Sequence, residues 1–278
     1  MVSSSFAPSS LVPPADAPRS ILPPDLARPT GPLLGAWSYA EFFALATAFI
    51  APMTLSHLRH RGDPTQRLPG RWMRRFGRVT SELTPVWDFS WEGVPPADIR
   101  TRGYVVVANH ESTADPFLLS YLPWDMRWVA KEELFKLPLL GLLMRAGGDI
   151  PIRRGERGSV ARMMAECRRA LDAGIPIMMF PEGTRSRTGE LLPFKDGAFE
   201  LAIKAGVPIL PLALAGTKDC RRKNSLWFGR ARAKVRVLPP IDTSGMTASD
   251  VPRLRDDARK VIGEAVDDLR VKLGQTRA

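Results

Sequence analysis

Residues 104–115 read YVVVANHESTAD. A short apolar run rich in β-branched valine makes a strand with no polar position to offer solvent, as in the interior of a parallel sheet. A polar turn carrying Asn109, His110 and Asp115 follows at once. In open α/β sheets, ligands gather beyond the carboxyl ends of strands, so His110 stands where a general base is expected. Asp115 lies five residues on. Along a regular helix that is a rotation of about 500°, which puts the two side chains on different faces. A turn leading into a helix brings the carboxylate back to the imidazole, where it would hold one ring nitrogen protonated and free the other as a base. Asp115-Pro116 also reads as the cap and first turn of a helix over residues 116–122, and Asp115 can serve both roles.

Downstream the same alternation continues. Apolar runs at 103–108, 127–130, 175–180, 207–215 and 233–238 alternate with helical stretches at 158–173 and 194–205, and an amphipathic helix closes the chain at 251–273. Strands alternating with helices predict an α/β fold, a mixed, largely parallel sheet flanked by helices, over residues 86–278. A second polar cluster, FPEGTRSR at 180–187, again follows an apolar run. Gly183 there lets backbone approach a ligand, and Arg185 offers a forked donor suited to phosphate. A third stretch, GGDIPIRR at 147–154, places Arg153 and Arg154 at a strand end.

Upstream the chain differs. Residues 1–32 hold 8 of the 26 prolines with much Ser and Ala, and read as a disordered tail. Residues 33–56 carry one charge, Glu41. About 20 helical residues cross a bilayer core, so this is a single span or a helix that dips into one leaflet. Residues 57–78 then hold seven arginines against one acid. Trp72, Met73, Phe76, Val79 and Leu83 recur there at helical spacing, as in a basic amphipathic helix at a membrane interface. Residues 33–85 thus read as membrane-associated helices, with the basic side marking the cytoplasmic face of the inner membrane.

The net charge of +11 on 278 residues would suit an anionic membrane, a phosphorylated substrate or nucleic acid. Part of it is the stretch 218–236, with eight basic residues and one acid. It has neither an aromatic RNA-binding motif nor a zinc signature, so no nucleic-acid partner is expected. Two cysteines, Cys167 and Cys220, give no disulfide framework, and no metal site is expected. Of three histidines, His57 and His60 sit in the basic stretch, which leaves His110 as the candidate base.

Together and in order, four segments resemble the motifs of the glycerolipid acyltransferases, specifically the 1-acyl-glycerol-3-phosphate (lysophosphatidate) acyltransferases. They are His110 to Asp115, Gly147 to Arg153, Phe180 to Arg185, and Val207-Pro208-Ile209-Leu210-Pro211; the stretch from Ala130 to Pro138 is similar too. The resemblance covers roughly residues 100–240. It implies transfer of a fatty acyl group from acyl-CoA or acyl carrier protein to the sn-2 hydroxyl of a lysophospholipid, with these two thioesters as co-substrates and no further cofactor. It implies His110 as base and Asp115 as its orienting partner, with no covalent intermediate. Arg153, Glu182, Gly183, Thr184 and Arg185 would hold the acceptor phosphate, and Lys131 the oxyanion or head group. Val207, Pro208, Ile209 and Pro211 would shape the acyl or acceptor pocket. Lysophosphatidate is the expected acceptor, and another lysolipid or glycerol 3-phosphate is an alternative that the motifs do not exclude. Water as acceptor, which would make the protein a thioesterase, is a further one.

Overall fold

The computed structural model describes residues 31–63, 65, 67–186, 188–220 and 228–275. The proline-rich tail thus lies outside the described residues, apart from its last two positions. Among the described residues the strands are β1 (Trp87–Gly93), β2 (Val105–Ala108), β3 (Arg127–Lys131), β4 (Ile150–Ile152), β5 (Ile177–Met179), β6 (Ile209–Ala215) and β7 (Ala231–Val237). The helices are α1 (Pro32–Arg59), α2 (Arg67–Leu83), α3 (Asp115–Leu119), α4 (Leu140–Ala146), α5 (Arg157–Asp172), α6 (Gly197–Ala205) and α7 (Val251–Lys272). One sheet runs β1-β7-β6-β2-β5-β3-β4. Neighbours are parallel except β6 and β7, so β2 to β6 end on one common edge. The expected mixed, largely parallel sheet is present.

β2 explains how the layers form. Val105 and Val107 face a core built with Cys167, Leu171, Phe199, Leu254 and Ile262 of α5, α6 and α7. Val106 and Ala108 face the other side, where Leu118, Leu119, Trp124 and Trp128 cover the sheet. The two-residue period of a strand sends alternate valines to opposite faces, and helices on both faces leave no polar side.

Two strands lie outside the run of apolar segments, although the arginines at 153 and 154 are expected to follow a strand. β1 precedes the region where the alternation begins; its Trp87 and Phe89 enter the core and it pairs along its length with β7. β4 is a three-residue edge strand containing Pro151, too short to show a period; an edge tolerates proline because half its ladder is unused.

α1 is long and apolar enough, by length and composition, to cross a membrane. Gly35, Ser38, Ala46, Met53 and Ser56 form its buried face. That face meets the rest of the protein along its length: Tyr39 stacks on Phe228 at 5.1 Å, Phe42 meets Phe117 of α3 edge-on at 6.3 Å, and Met53 packs with Leu143 of α4. Glu41 lies 3.4 Å from the Thr84 hydroxyl, which donates to it. Leu33, Trp37, Phe43, Leu55 and Leu58 stay exposed on the opposite face.

α2 departs from the expectation of an interfacial helix. Trp72, Met73 and Phe76 pack against α1 and α4, so most of its apolar face is used inside the protein, while Leu68 and Leu83 at its two ends stay exposed. Arg67, Arg71 and Arg74 bind the sheet domain. Arg74 is buried 3.4 Å from Asp149 and 4.5 Å from the Trp128 ring centre; burial pulls its guanidinium down to about 10. Arg67 donates to the Arg100 and Gly174 carbonyls at 2.6 and 2.7 Å. Arg59, Arg61 and Arg75 stay exposed. The second basic stretch is spent in part. Residues 221–227 lie outside the described set, and Arg232, Lys234 and Arg236 pair with Asp88 and Glu92 of β1 at 2.6–3.4 Å.

Candidate active site

His110 and Asp115 leave the carboxyl end of β2 in a tight turn. The His110 Nδ1 lies 2.6 Å from Asp115 Oδ2. The same oxygen accepts from the Glu111 and Ser112 amides at 2.9 and 3.0 Å. Asp115 is fully buried and opens α3, whose cap residue is Ala114 rather than Asp115 itself. Its carboxylate serves the turn and the imidazole instead of the helix amides ahead of it. A carboxylate can only accept here, so Nδ1 carries the proton and Nε2 keeps a free lone pair. The Phe180 ring stacks on the imidazole at 4.0 Å and fixes its plane.

Neighbouring strands hold this turn in place. The Asn109 side chain donates to the Leu214 carbonyl at 2.9 Å and accepts from its amide at 2.8 Å, so it continues the β2–β6 ladder past the end of β2. Glu182, at the end of β5, accepts from the His110 amide at 2.7 Å and from the Leu192 amide at 3.2 Å. Its carboxylate therefore joins two loops; burial pushes it up to about 7. The Ser186 amide donates to the His110 carbonyl at 2.8 Å. A cavity of about 250 Å³ opens beside the imidazole, walled by Glu111, Glu182 and Ser186 and by Arg259, Lys260 and Arg270 of α7.

The other candidates divide. Gly183 has φ of +71°, a conformation glycine adopts without strain, and the Lys195 chain lies across it where a Cβ would be. Thr184 and Arg185 are exposed at the same loop. Lys131 ends β3 and Arg153 follows β4 on the same sheet edge, but β4 is three strands from β2, roughly 14 Å at ordinary strand spacing. The Arg153 guanidinium is held by Glu132 at 2.7 Å and Glu156 at 3.0 Å. Val207, Pro208 and Ile209 lie at the amino-terminal end of β6, opposite His110, and Ile209 and Pro211 are buried in the sheet. His57 and His60 belong to the end of α1. Burial pushes the Cys167 thiol up to about 12 and raises Cys220 well above the usual range, so neither offers a thiolate.

A family model described as Acyltransferase matches residues 93–215. A 1-acyl-sn-glycerol-3-phosphate acyltransferase of Chlamydomonas reinhardtii is 32% identical over 237 residues, 83% of this chain and 68% of that one. The chain belongs to the 1-acyl-sn-glycerol-3-phosphate acyltransferase family. Its similarity to the alpha form of Mus musculus is higher but shorter, 40% over 162 residues, and spans 57% of each chain. The chain thus matches just over half the length of its mammalian relatives. The crystal structure of the 1-acyl-sn-glycerophosphate (LPA) acyltransferase PlsC from Thermotoga maritima is similar at a TM-score of 0.69 and 25% identity, covering 86% of this chain and 97% of that one.

Sequence reasoning missed three residues that surround the His110–Asp115 pair. Glu111 sits inside the first motif but carried no assigned role. Thr217 and Arg270 meet Asp115 and Glu111 from 102 and 159 residues away, where no local spacing signals them.

Proposed function

We propose that the protein transfers a fatty acyl group from an acyl-CoA or acyl carrier protein thioester to the sn-2 hydroxyl of lysophosphatidate, giving phosphatidate. The observation that carries this reading is the 2.6 Å contact between His110 Nδ1 and the buried Asp115, which leaves Nε2 open at the carboxyl edge of the sheet. His110 Nε2 takes the proton of the acceptor hydroxyl as its oxygen attacks the thioester carbonyl. The new C–O bond forms, the C–S bond breaks, and the imidazolium returns its proton to the departing thiolate. Asp115 stabilises the imidazolium between these steps. A thioester is already activated, so no enzyme nucleophile is needed, which agrees with two cysteines held as thiols.

Arg185 and Thr184, exposed on the loop beside His110, are the first contacts for the acceptor phosphate, with Gly183 supplying the turn of that loop. Arg153 and Lys131 reach the same edge from farther off, and Arg153 joins only by leaving Glu132 and Glu156. For the membrane we favour the one-leaflet reading. A helix packed on the catalytic domain from Gly35 to Ser56 cannot cross a bilayer while that domain stays in water. Its exposed Leu33, Trp37, Phe43, Leu55 and Leu58 instead enter one leaflet, beside an anionic surface met by Arg59, Arg61 and Arg75.

The test is mass spectrometry of products from purified full-length protein offered a panel of lyso-acceptors with both thioester donors. Phosphatidate from lysophosphatidate is expected, and His110→Ala should lower its formation about 10²–10⁴-fold, the usual worth of base catalysis. Acyl thioester hydrolysis without acceptor, or near-normal transfer by His110→Ala, overturns the reading.

A further inference from the structure

Asp115 Oδ2 is saturated by three N–H donors, whereas Oδ1 has one described donor, the Thr217 hydroxyl just past β6. That single bond sets the rotation of the carboxylate and so the direction in which the imidazole is held. Thr217 is itself fully buried, and Glu111 Oε2 lies 3.5 Å from its hydroxyl. Two carboxylates, Glu111 and Asp115, thus flank one buried hydroxyl. Such an arrangement is stable only if a cation or a proton offsets the second charge. The cation comes from the last turn of α7: Arg270 donates to Glu111 Oε1 at 2.9 Å. The same guanidinium donates to the Gly189 carbonyl. Gly189 in turn donates to Ser186 Oγ at 3.0 Å, and the Ser186 amide holds the His110 carbonyl. One arginine from the end of the chain therefore grips both loops that flank the base.

We propose that Arg270, Glu111 and Thr217 form a positioning chain for the reaction, tying the His110–Asp115 pair to the carboxyl-terminal helix. None of the three needs to touch substrate. Without Arg270, Glu111 is left as a buried carboxylate beside Asp115, and the strain is relieved by proton uptake or by movement of Glu111, either of which frees the Thr217 hydroxyl from its present direction. Asp115 then holds the imidazole less well as charge develops on it. The loss falls on the chemical step and not on substrate binding.

The chain rests on the acyl-transfer reading, and full-length protein in detergent, with lysophosphatidate and an acyl-CoA, separates the two. Arg270→Ala and Thr217→Val should each lower kcat by about tenfold or more with both KM values within about twofold, the signature of an interaction felt in the transition state. Thr217→Ser and Arg270→Lys keep the hydroxyl and the cation and should recover most of the rate. In the double variant the losses should not multiply, because both act through Asp115. Arg255→Ala is the control: it removes another α7 anchor, to Asp196 at 2.8 Å, without touching the turn, and should leave kcat unchanged. If Arg270→Ala fails to fold, the Thr217→Val and Thr217→Ser pair decides. Wild-type kcat in Arg270→Ala, a loss no larger than that of Arg255→Ala, or no recovery in Thr217→Ser overturns the chain while wild-type transfer persists. An inactive wild type overturns the functional reading instead.

Discussion

Replacing Asp115 by asparagine separates the geometry of the base from its electrostatics. The amide oxygen can take the place of Oδ2 and accept from His110 Nδ1 and the Glu111 and Ser112 amides. The amide nitrogen then takes the place of Oδ1 and donates to Thr217, so every contact of the carboxylate has a counterpart. Folding should survive. Asp115→Ala, by contrast, strands four donors at a buried site, at about 1–3 kcal/mol each. What asparagine removes is the charge. With 2.6 Å between nitrogen and oxygen, the charge centres of imidazolium and carboxylate lie about 4 Å apart. At an effective dielectric constant of about 20 their attraction is about 4 kcal/mol, or roughly three decades of rate. Proton transfer is incomplete in the transition state, so a fall in kcat of about 10²–10³-fold is expected, with little change in KM. The assay is steady-state release of free thiol from an acyl-CoA in the presence of lysophosphatidate, alongside thermal unfolding of both proteins. A kcat within about threefold of wild type, at unchanged melting temperature, would refute a role for Asp115 in stabilising the imidazolium.

Other expectations concern the neighbours of the dyad. Arg185→Ala should raise the KM for the phosphorylated acceptor more than Arg153→Ala does, because Arg153 is already paired with Glu132 and Glu156; equal effects in a titration of lysophosphatidate would contradict this. Arg74→Ala leaves the Asp149 carboxylate buried without its partner and should cost about 3 kcal/mol of stability by denaturant unfolding in detergent. Burial raises Glu111 and Glu182 from 4.5 to about 7, so the folded state binds their protons more tightly than the unfolded chain. Their contribution to stability is full below about pH 4.5 and is lost as pH rises through about 7. Glu111→Gln, which cannot ionise, should flatten the fall in melting temperature between pH 5 and 8, and an unchanged slope would count against the burial of that charge.

The strand-and-turn reading of residues 104–115 carries over to the structure because it depends on local rules. Valines at a two-residue period must find two apolar faces, and a polar turn after a central strand must open at the carboxyl edge. His110 is therefore legible from sequence, as are the loop of Gly183 and Arg185 and the alternation that builds the sheet. The basic stretches are not. Charge counted along a chain says nothing of which carboxylate lies across from it, and Arg74, Arg232 and Arg236 meet Asp149, Asp88 and Glu92 only after folding. The apolar face of α2 likewise has the composition of a membrane helix, yet α1 and α4 cover most of it. β1 escapes notice because it lies ahead of the region where strands and helices alternate. What sequence alone determined is the type of fold and the place of His110 in the turn beyond a central strand, since these follow from neighbours in the chain. What only tertiary structure decided is who holds Asp115: Thr217 and Arg270 arrive from β6 and α7, and a buried carboxylate can take its partners from anywhere the packing brings them.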